Sequence, residues 1–434
     1  MRRSPSVLLL AVPLLILACG TERTRVGGRS VPTPAAEGLA GRVLVGYQGW
    51  FGTPSDGTGW MHWGPGAFEP GRCTIDLWPD LAGYPPSWTE PSPFRLPDGS
   101  PARVYSSARA EIVDHHLALM ARHGIDGPVL QRFGVLLRSP ARRAHADRVL
   151  RALRASARRH DRVWAVAFDL SGLRREELGA PLRREIRHVL ALAGPDDDPR
   201  YLRVGGRPLV EIWGVGFDDG RDYGCEEVAE LLGWLRREAR PGGLAIALGV
   251  PTWWRTGERD ATADPAFGRL CREADVLVPW TVGRYRDEEG ARLHAGTTLR
   301  GDLAWGEAHG VELLPVVFPG FSWHNLSRVL GRESPLDEIP RREGRFLEAQ
   351  GRAFLAAGAR GLFVAMFDEV DEATAVMPCL ERGPVGASPF VSGGPAPTDR
   401  YLRIAGELGR LARERAGAPD GDPRAASRRA RETR

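Results

Sequence analysis

The chain has 434 residues, 42% of them hydrophobic and 26% charged, with a formal net charge of +4. All 59 of its Lys+Arg residues are arginine, which excludes Schiff-base catalysis, pyridoxal phosphate attachment and a P-loop lysine. No basic block interleaved with aromatics occurs in the body of the chain, so nucleic acid is not an expected partner.

Arg2 and Arg3 precede an apolar stretch at 7–17, of signal-peptide length and too short to span a bilayer unaided. It ends Ile16-Leu17-Ala18-Cys19, which resembles the lipobox of bacterial lipoproteins and makes Cys19 the residue to be acylated. An ordinary secretory signal with an incidental cysteine is the alternative. Either way the mature protein is expected to be exported. With the lipid it would be anchored to the bacterial cell envelope, at the outer membrane by the criterion of Gly20 in place of Asp; without it, periplasmic or extracellular. Residues 1–19 thus read as the signal, 20–40 as a flexible tether, 41–415 as one domain and 416–434 as a disordered tail. Cys73, Cys225, Cys271 and Cys379 are widely spaced with no CxxC, so a zinc finger is excluded. One or two disulfides and a set of buried thiols both remain open.

Eight short apolar runs follow, at 43–50, 125–133, 164–170, 208–214, 244–254, 275–283, 312–321 and 362–370. Runs of this kind, without alternation, read as strands of a parallel sheet covered on both faces. Helical patterns separate them at 111–123, 141–159, 182–192, 226–239, 297–309 and 341–357, with a weaker one at 265–272. Gly124, Gly310 and Gly358 stand where a left-handed C-cap is expected. A further helix at 399–415 packs back on the body. Strand–helix alternation repeated eight times predicts an α/β fold, a single (β/α)8 TIM barrel with a long, non-helical first βα loop at 51–107.

In such a barrel the site lies at the C-terminal ends of the strands. The last strand runs there into four acids, Asp368, Glu369, Asp371 and Glu372. Clustered acids at a buried strand end repel and raise one another's pKa, an arrangement suited to acid–base chemistry. Glycoside hydrolysis needs one carboxyl protonated and one ionised, which such a pair supplies. The other strand ends offer Tyr47, Gln48 and Trp50; Gln131 and Arg132; Asp169; Trp213; Trp254 and Arg255; Trp280 and Arg284; and Trp323 and His324. The first loop adds His62 and Trp63. Trp50, Trp254, Trp280 and Trp323 are the stacking candidates for sugar faces, and one of Arg132, Arg255 and Arg284 would set the charge of the carboxylates. Asp169 would bond a sugar hydroxyl or merely satisfy its loop beside Ser171. His62 and His324 with the acids raise the question of a hard cation, but the first strand offers Tyr47-Gln48-Gly49 where zinc hydrolases carry His-x-His, so no metal is expected. His115 and His116 read as a packed or solvated pair.

Several segments resemble the glycoside hydrolase family 71/99-like group, which contains the endo-α-mannosidases of family 99. They are VGYQGWFGTP (45–54), MHW (61–63), DLWPDLAGY (76–84), the stretch at 105–127, FDLSGL (168–173), GVPTWWR (249–255), PWTVGRY (279–285), FPGFSWHNL (318–326) and MFDEVDEATAV (366–376). The likeness spans roughly 43–378 and is nearest to a bacterial branch labelled xylosidase/arabinosidase. It implies a (β/α)8 barrel, glycosidase activity and no organic cofactor. The family 99 motif after the last strand resembles Trp-Asn-Glu-Trp-x-Glu-Gly-Thr, and its two glutamates fall on Glu369 and Glu372. The resemblance implies that Glu369 deprotonates the sugar's own 2-hydroxyl and that Glu372 protonates the leaving oxygen. Asp368, Val370 and Ala373 depart from that motif. The expected protein is therefore a monomeric glycoside hydrolase acting on a carbohydrate and held at the membrane by a lipid. A surface lipoprotein that binds glycans in the same cleft without cleaving them is the alternative.

Overall fold

The computed structural model describes residues 36–417. The signal segment, Cys19, the tether up to residue 35 and the tail from 418 lie outside the described residues.

Eight parallel strands form the core: β1 Val43–Tyr47, β2 Gly127–Phe133, β3 Ala165–Asp169, β4 Arg207–Trp213, β5 Ala245–Pro251, β6 Val276–Trp280, β7 in two pieces (Glu312–Leu313 and Val316–Val317), and β8 Leu362–Val364. They pair in sequence order from β1 to β7. The first piece of β7 pairs with β6 and the second with β8, which pairs back to β1. The sheet thus closes on itself through a strand interrupted at Leu314-Pro315, where proline has no N–H to offer the ladder. The expected (β/α)8 barrel is what the chain forms.

Burial explains the unbroken apolar runs. Leu362, Phe363 and Val364 of β8 are all buried, their neighbours being barrel interior on one side and helices on the other. Burying each such side chain stabilises by about 1.5–3 kcal/mol. The surrounding helices are α1 Ala110–His123, α2 Pro140–Arg159, α3 Ala180–Ala193, α4 Cys225–Arg237, α5 Pro265–Glu273, α6 Glu288–His294, α7 Arg300–His309, the short α8 His324–Val329, α9 Arg345–Ala357 and α10 Arg400–Ala416. Their ends carry recognisable stops and starts. Ser139 caps α2 by accepting from the Arg142 N–H, and Asp264 caps the weakly patterned α5 by accepting from Ala266. Gly124 ends α1 at φ +73°. The helix expected at 297–309 begins earlier, as α6, and reaches α7 through one wider turn at Ala295–Leu299.

The first loop is not structureless. It folds into a hairpin, Thr89–Arg95 with Pro101–Tyr105, over an aromatic cluster. In it Phe68 lies parallel to Trp78 at 5.8 Å and Phe51 packs on Trp63 at 4.3 Å. The four cysteines are free and buried, which decides between the two alternatives left by their spacing.

Candidate active site

The turn after β8 is held from three directions. Asp368, fully buried, accepts from the backbone N–H of Gln48 (2.7 Å) and of Gly49 (2.9 Å), tying β8 to the end of β1. The N–H groups of Asp76 and Leu77 in the first loop both donate to the carbonyl of Val370. Arg341, buried just before α9, donates to the carbonyls of Ala373 (2.6 Å) and Ala375 (2.8 Å), and its guanidinium lies 4.0 Å from the centre of the Tyr401 ring on α10.

Ala373 sits at φ +53°, a left-handed conformation that costs an L-residue with a Cβ roughly 1–2 kcal/mol. The family 99-like motif has glycine there, so this backbone shape explains the motif's preference. Ala373→Gly is expected to leave stability unchanged or raise it by up to about 1 kcal/mol, the strain released being offset in part by a looser unfolded chain. A urea midpoint would show it, and a loss larger than about 1 kcal/mol would contradict the strain argument.

This frame presents the glutamates differently. Glu369 is buried and accepts two hydrogen bonds, from Gln48 Nε2 (2.7 Å) and from the Thr374 hydroxyl (2.9 Å). Glu372 is half-buried, its carboxyl bonded to no described residue, while its backbone carbonyl receives the Ser322 N–H. Burial, then the neighbouring carboxyls, pushes both above the ordinary glutamate range, Glu372 to about 8. They titrate as a pair. Burial raises Glu369 well above the ordinary range, but its two donors favour the charged form and Glu372 has none, and on that hydrogen bonding the shared proton is placed on Glu372.

Asp371 is buried beside them, raised to about 8 by burial, with its Oδ2 3.7 Å from His62 Nδ1 and its Oδ1 unpartnered. Burial holds His62 neutral, down to about 3. Its imidazole stacks on Trp50 at 4.0 Å and 6°, and Trp50 lies 4.9 Å from Phe133 on its own account. On the opposite side Trp213 meets Trp280 edge-on at 5.4 Å. The indole N–H groups of Trp50, Trp213 and Trp323 have no partner within the described protein. Asp169 bonds the Ser171 N–H at 2.7 Å and is raised by burial.

Other expected site residues stand elsewhere. Arg132 points outward, donating to Glu185 at 2.9 Å and pairing with Asp147 at 2.9 Å behind the sheet. Arg255 pairs with Asp302 on α7 (2.8 Å) and Arg284 with Asp260 (2.7 Å). Trp254 packs edge-on against Trp305 of α7 at 4.8 Å. Trp63 is core to the first loop, its indole N–H donated to the Tyr105 carbonyl. Tyr47 lies below the site, its hydroxyl 2.9 Å from His116, which reaches Tyr84 at 2.9 Å. Asp368 is a bracket for backbone rather than a cleft residue. His324 is absorbed by the rim, its ring bonded to the Ser334 carbonyl and its N–H to Asp76. Gln131, nearly buried, shares a strand register with Glu211 through Ala167.

Sequence reasoning misses three residues. Glu211 is 3% exposed, forms no hydrogen bond to a described residue, and is pushed to about 8 by burial and then by Asp169. A lone acid inside the apolar run of β4 is the signal that finds it. Asp76 accepts from the Ser322 hydroxyl (2.6 Å) and the Asn325 N–H (2.8 Å), joining the first loop to α8. Arg221, in the β4–α4 loop, lies over Phe217 at 4.7 Å, pairs with Asp219 at 2.8 Å and faces Asp169.

No family model matches the chain, and no curated protein does. Solved structures do. The chain is similar to the GH99 endo-alpha-mannosidase from Bacteroides thetaiotaomicron in complex with bis-tris propane, with a TM-score of 0.62 and 17% identity over 87% of this chain and 98% of that one. A second structure of the GH99 endo-alpha-mannosidase from Bacteroides thetaiotaomicron gives a TM-score of 0.61 and 16% identity over 88% and 100%. At that identity the likeness establishes the fold.

Proposed function

We propose that the chain is an exported glycoside hydrolase, lipid-anchored through Cys19, that cleaves a polysaccharide or oligosaccharide with Glu369 and Glu372. The observation that carries this reading is the asymmetry of the pair. Glu369 is held by two donors that favour its charged form, the form required of a base or nucleophile. Glu372 is raised, unbonded and nearer the opening, the state required of an acid that protonates a leaving oxygen. His62, stacked on Trp50 and 3.7 Å from Asp371, brings an aromatic pair to the carboxyls, and Trp213 with Trp280 adds a second at the ends of β4 and β6. The family 99 roles for the two glutamates agree with this division, and the barrel that the chain shares with the Bacteroides endo-alpha-mannosidase is a scaffold that serves such chemistry.

The test is release of reducing ends from a panel of α-mannans, α-glucans, xylans and arabinans by the purified protein and by Glu369→Gln. Release by the parent and its loss in the variant is the expected result. Cleavage that survives Glu369→Gln would remove the pair from the mechanism, and binding without release would leave a glycan-binding protein. The rate should also fall as pH rises through about 8, because the acid that must donate, Glu372, has by then lost its proton.

A further inference from the structure

We propose that Gln48 selects the sugar bound beside Glu369, its side-chain oxygen receiving the hydroxyl on the carbon next to the one where Glu369 acts. The inference rests on the glycosidase reading of the same site and names the residue that tells one sugar from another there.

Gln48 is fixed at both ends. Its backbone N–H donates to Asp368 Oδ1 at 2.7 Å, and that of Gly49 to Asp368 Oδ2 at 2.9 Å. One buried carboxyl thus holds the backbone on which the Gln48 side chain stands. At the far end Nε2 donates to Glu369 Oε1 at 2.7 Å. Against the ionised form of Glu369 the amide has only this orientation, since turned over it would set oxygen against oxygen.

The same orientation leaves Gln48 Oε1 with nothing to receive. The residue is 8% exposed, and that oxygen is buried with no donor among the described residues. A buried acceptor without a donor carries its full desolvation cost, so such atoms are paired with protein, solvent or ligand. The side chain that holds the other half of the amide, Glu369, is itself an acceptor. Thr374, the second donor at Glu369, is committed to Oε2 at 2.9 Å. The missing donor comes from outside the protein.

The amide also says where that donor stands. Its oxygen and nitrogen share one carbon, so a group bonded to Oε1 lies next to the group that meets Glu369. On a sugar ring, neighbours of that kind are carried by adjacent carbons. If Glu369 attacks the anomeric carbon, the hydroxyl at Gln48 is that of C2; if Glu369 takes the proton of the 2-hydroxyl, it is that of C3. Binding and charge are coupled as well. A hydrogen bond received at Oε1 polarises the amide and strengthens the one that Nε2 gives to Glu369. The sugar that fills the site therefore favours the ionised form of the group that acts on it. A ring without that hydroxyl forfeits both contacts, and sites built to bond a hydroxyl reject its absence strongly.

The experiment is calorimetric titration of the full-length protein with the methyl glycosides of mannose, glucose, xylose and arabinose, then with the 2-deoxy and 3-deoxy forms of whichever binds most tightly. Removal of one of the two hydroxyls should cost at least about tenfold in affinity. Gln48→Met, which keeps the length of the side chain and removes its oxygen, should bind the hydroxylated and deoxy glycosides alike. Gln48→Ala serves the same purpose should Gln48→Met not fold, as judged by circular dichroism. Thr374→Val is the control: it takes the other donor from Glu369 and leaves Gln48 in place, so the preference should persist. Four results overturn the proposal: no binding by any of the four glycosides, equal affinity for the hydroxylated and both deoxy forms, a preference that survives in the Gln48 variant, or one that Thr374→Val abolishes as well. Reducing ends released from the polysaccharide panel by the same samples keep the two readings apart. Cleavage with no hydroxyl preference retains the hydrolase and rejects the role of Gln48. A preference that depends on Gln48, without cleavage of any glycan, retains that role and rejects the hydrolase.

Discussion

Glu372→Gln is expected to lower turnover of the natural glycan by about 10²–10⁴, the range removed with a general acid. The deficit should shrink with the leaving group. An aryl glycoside whose phenol departs unaided needs no proton, so the variant should cleave it at a rate approaching that of the parent. Glu369→Gln has no such escape, because a base or nucleophile is required whatever leaves. Opposite outcomes, with Glu369→Gln rescued by the activated substrate and Glu372→Gln not, would exchange the two roles. The basis is the difference in surroundings already described: Gln48 and Thr374 donate to one carboxyl, and nothing described donates to the other. Steady-state rates on the two substrates decide it.

The largest stability effect falls on a residue that the sequence places in the cleft. Arg132→Ala leaves the nearly inaccessible Glu185 without its main partner and strips a charge from Asp147, whose Oδ1 it holds at 2.9 Å. Removing one member of a buried ion pair costs about 3–5 kcal/mol, because the remaining charge stays desolvated. Arg143 also reaches Glu185, at 2.7 Å, but from the protein surface, and its compensation is partial. Chemical denaturation should therefore show a large loss of stability, while KM and kcat of the folded fraction stay near the parent values. A kinetic defect at full stability would put Arg132 back in the cleft.

Arg132 shows what the sequence makes legible and what it does not. Strands covered on both faces are apolar throughout, so their existence and order are plain, but the parity that assigns each residue to the interior or to the helices is erased. Gln131 and Arg132 are one step apart and face opposite ways. Trp254 and Arg255 lie in the turn beyond β5, where no strand parity applies, and both are drawn to α7, to Trp305 and Asp302. The acids after β8 are legible because an apolar run seldom ends in so many charges, although one of the four, Asp368, turns out to bracket backbone. The aromatics of the first loop mislead. Trp63 and Trp78 serve as a small core under a hairpin whose strand carries Pro91 and Pro93, residues that hide it from any β pattern. Glu211 is visible in the sequence, but as a single acid among apolar neighbours it gives no hint of its distant partners.

The stack of Tyr401, Arg341 and the Ala373 carbonyl gives the last helix an unexpected importance. A polypeptide ending at residue 398 would contain every barrel strand and every carboxyl of the cleft. It would nonetheless leave the Arg341 guanidinium without the ring beneath it, and the turn after β8 would rest on a lever free to tilt. The C-terminal helix is in this sense a foundation stone of the candidate site, to which it contributes no side chain. Homologues that shorten or replace it would need another floor under that turn.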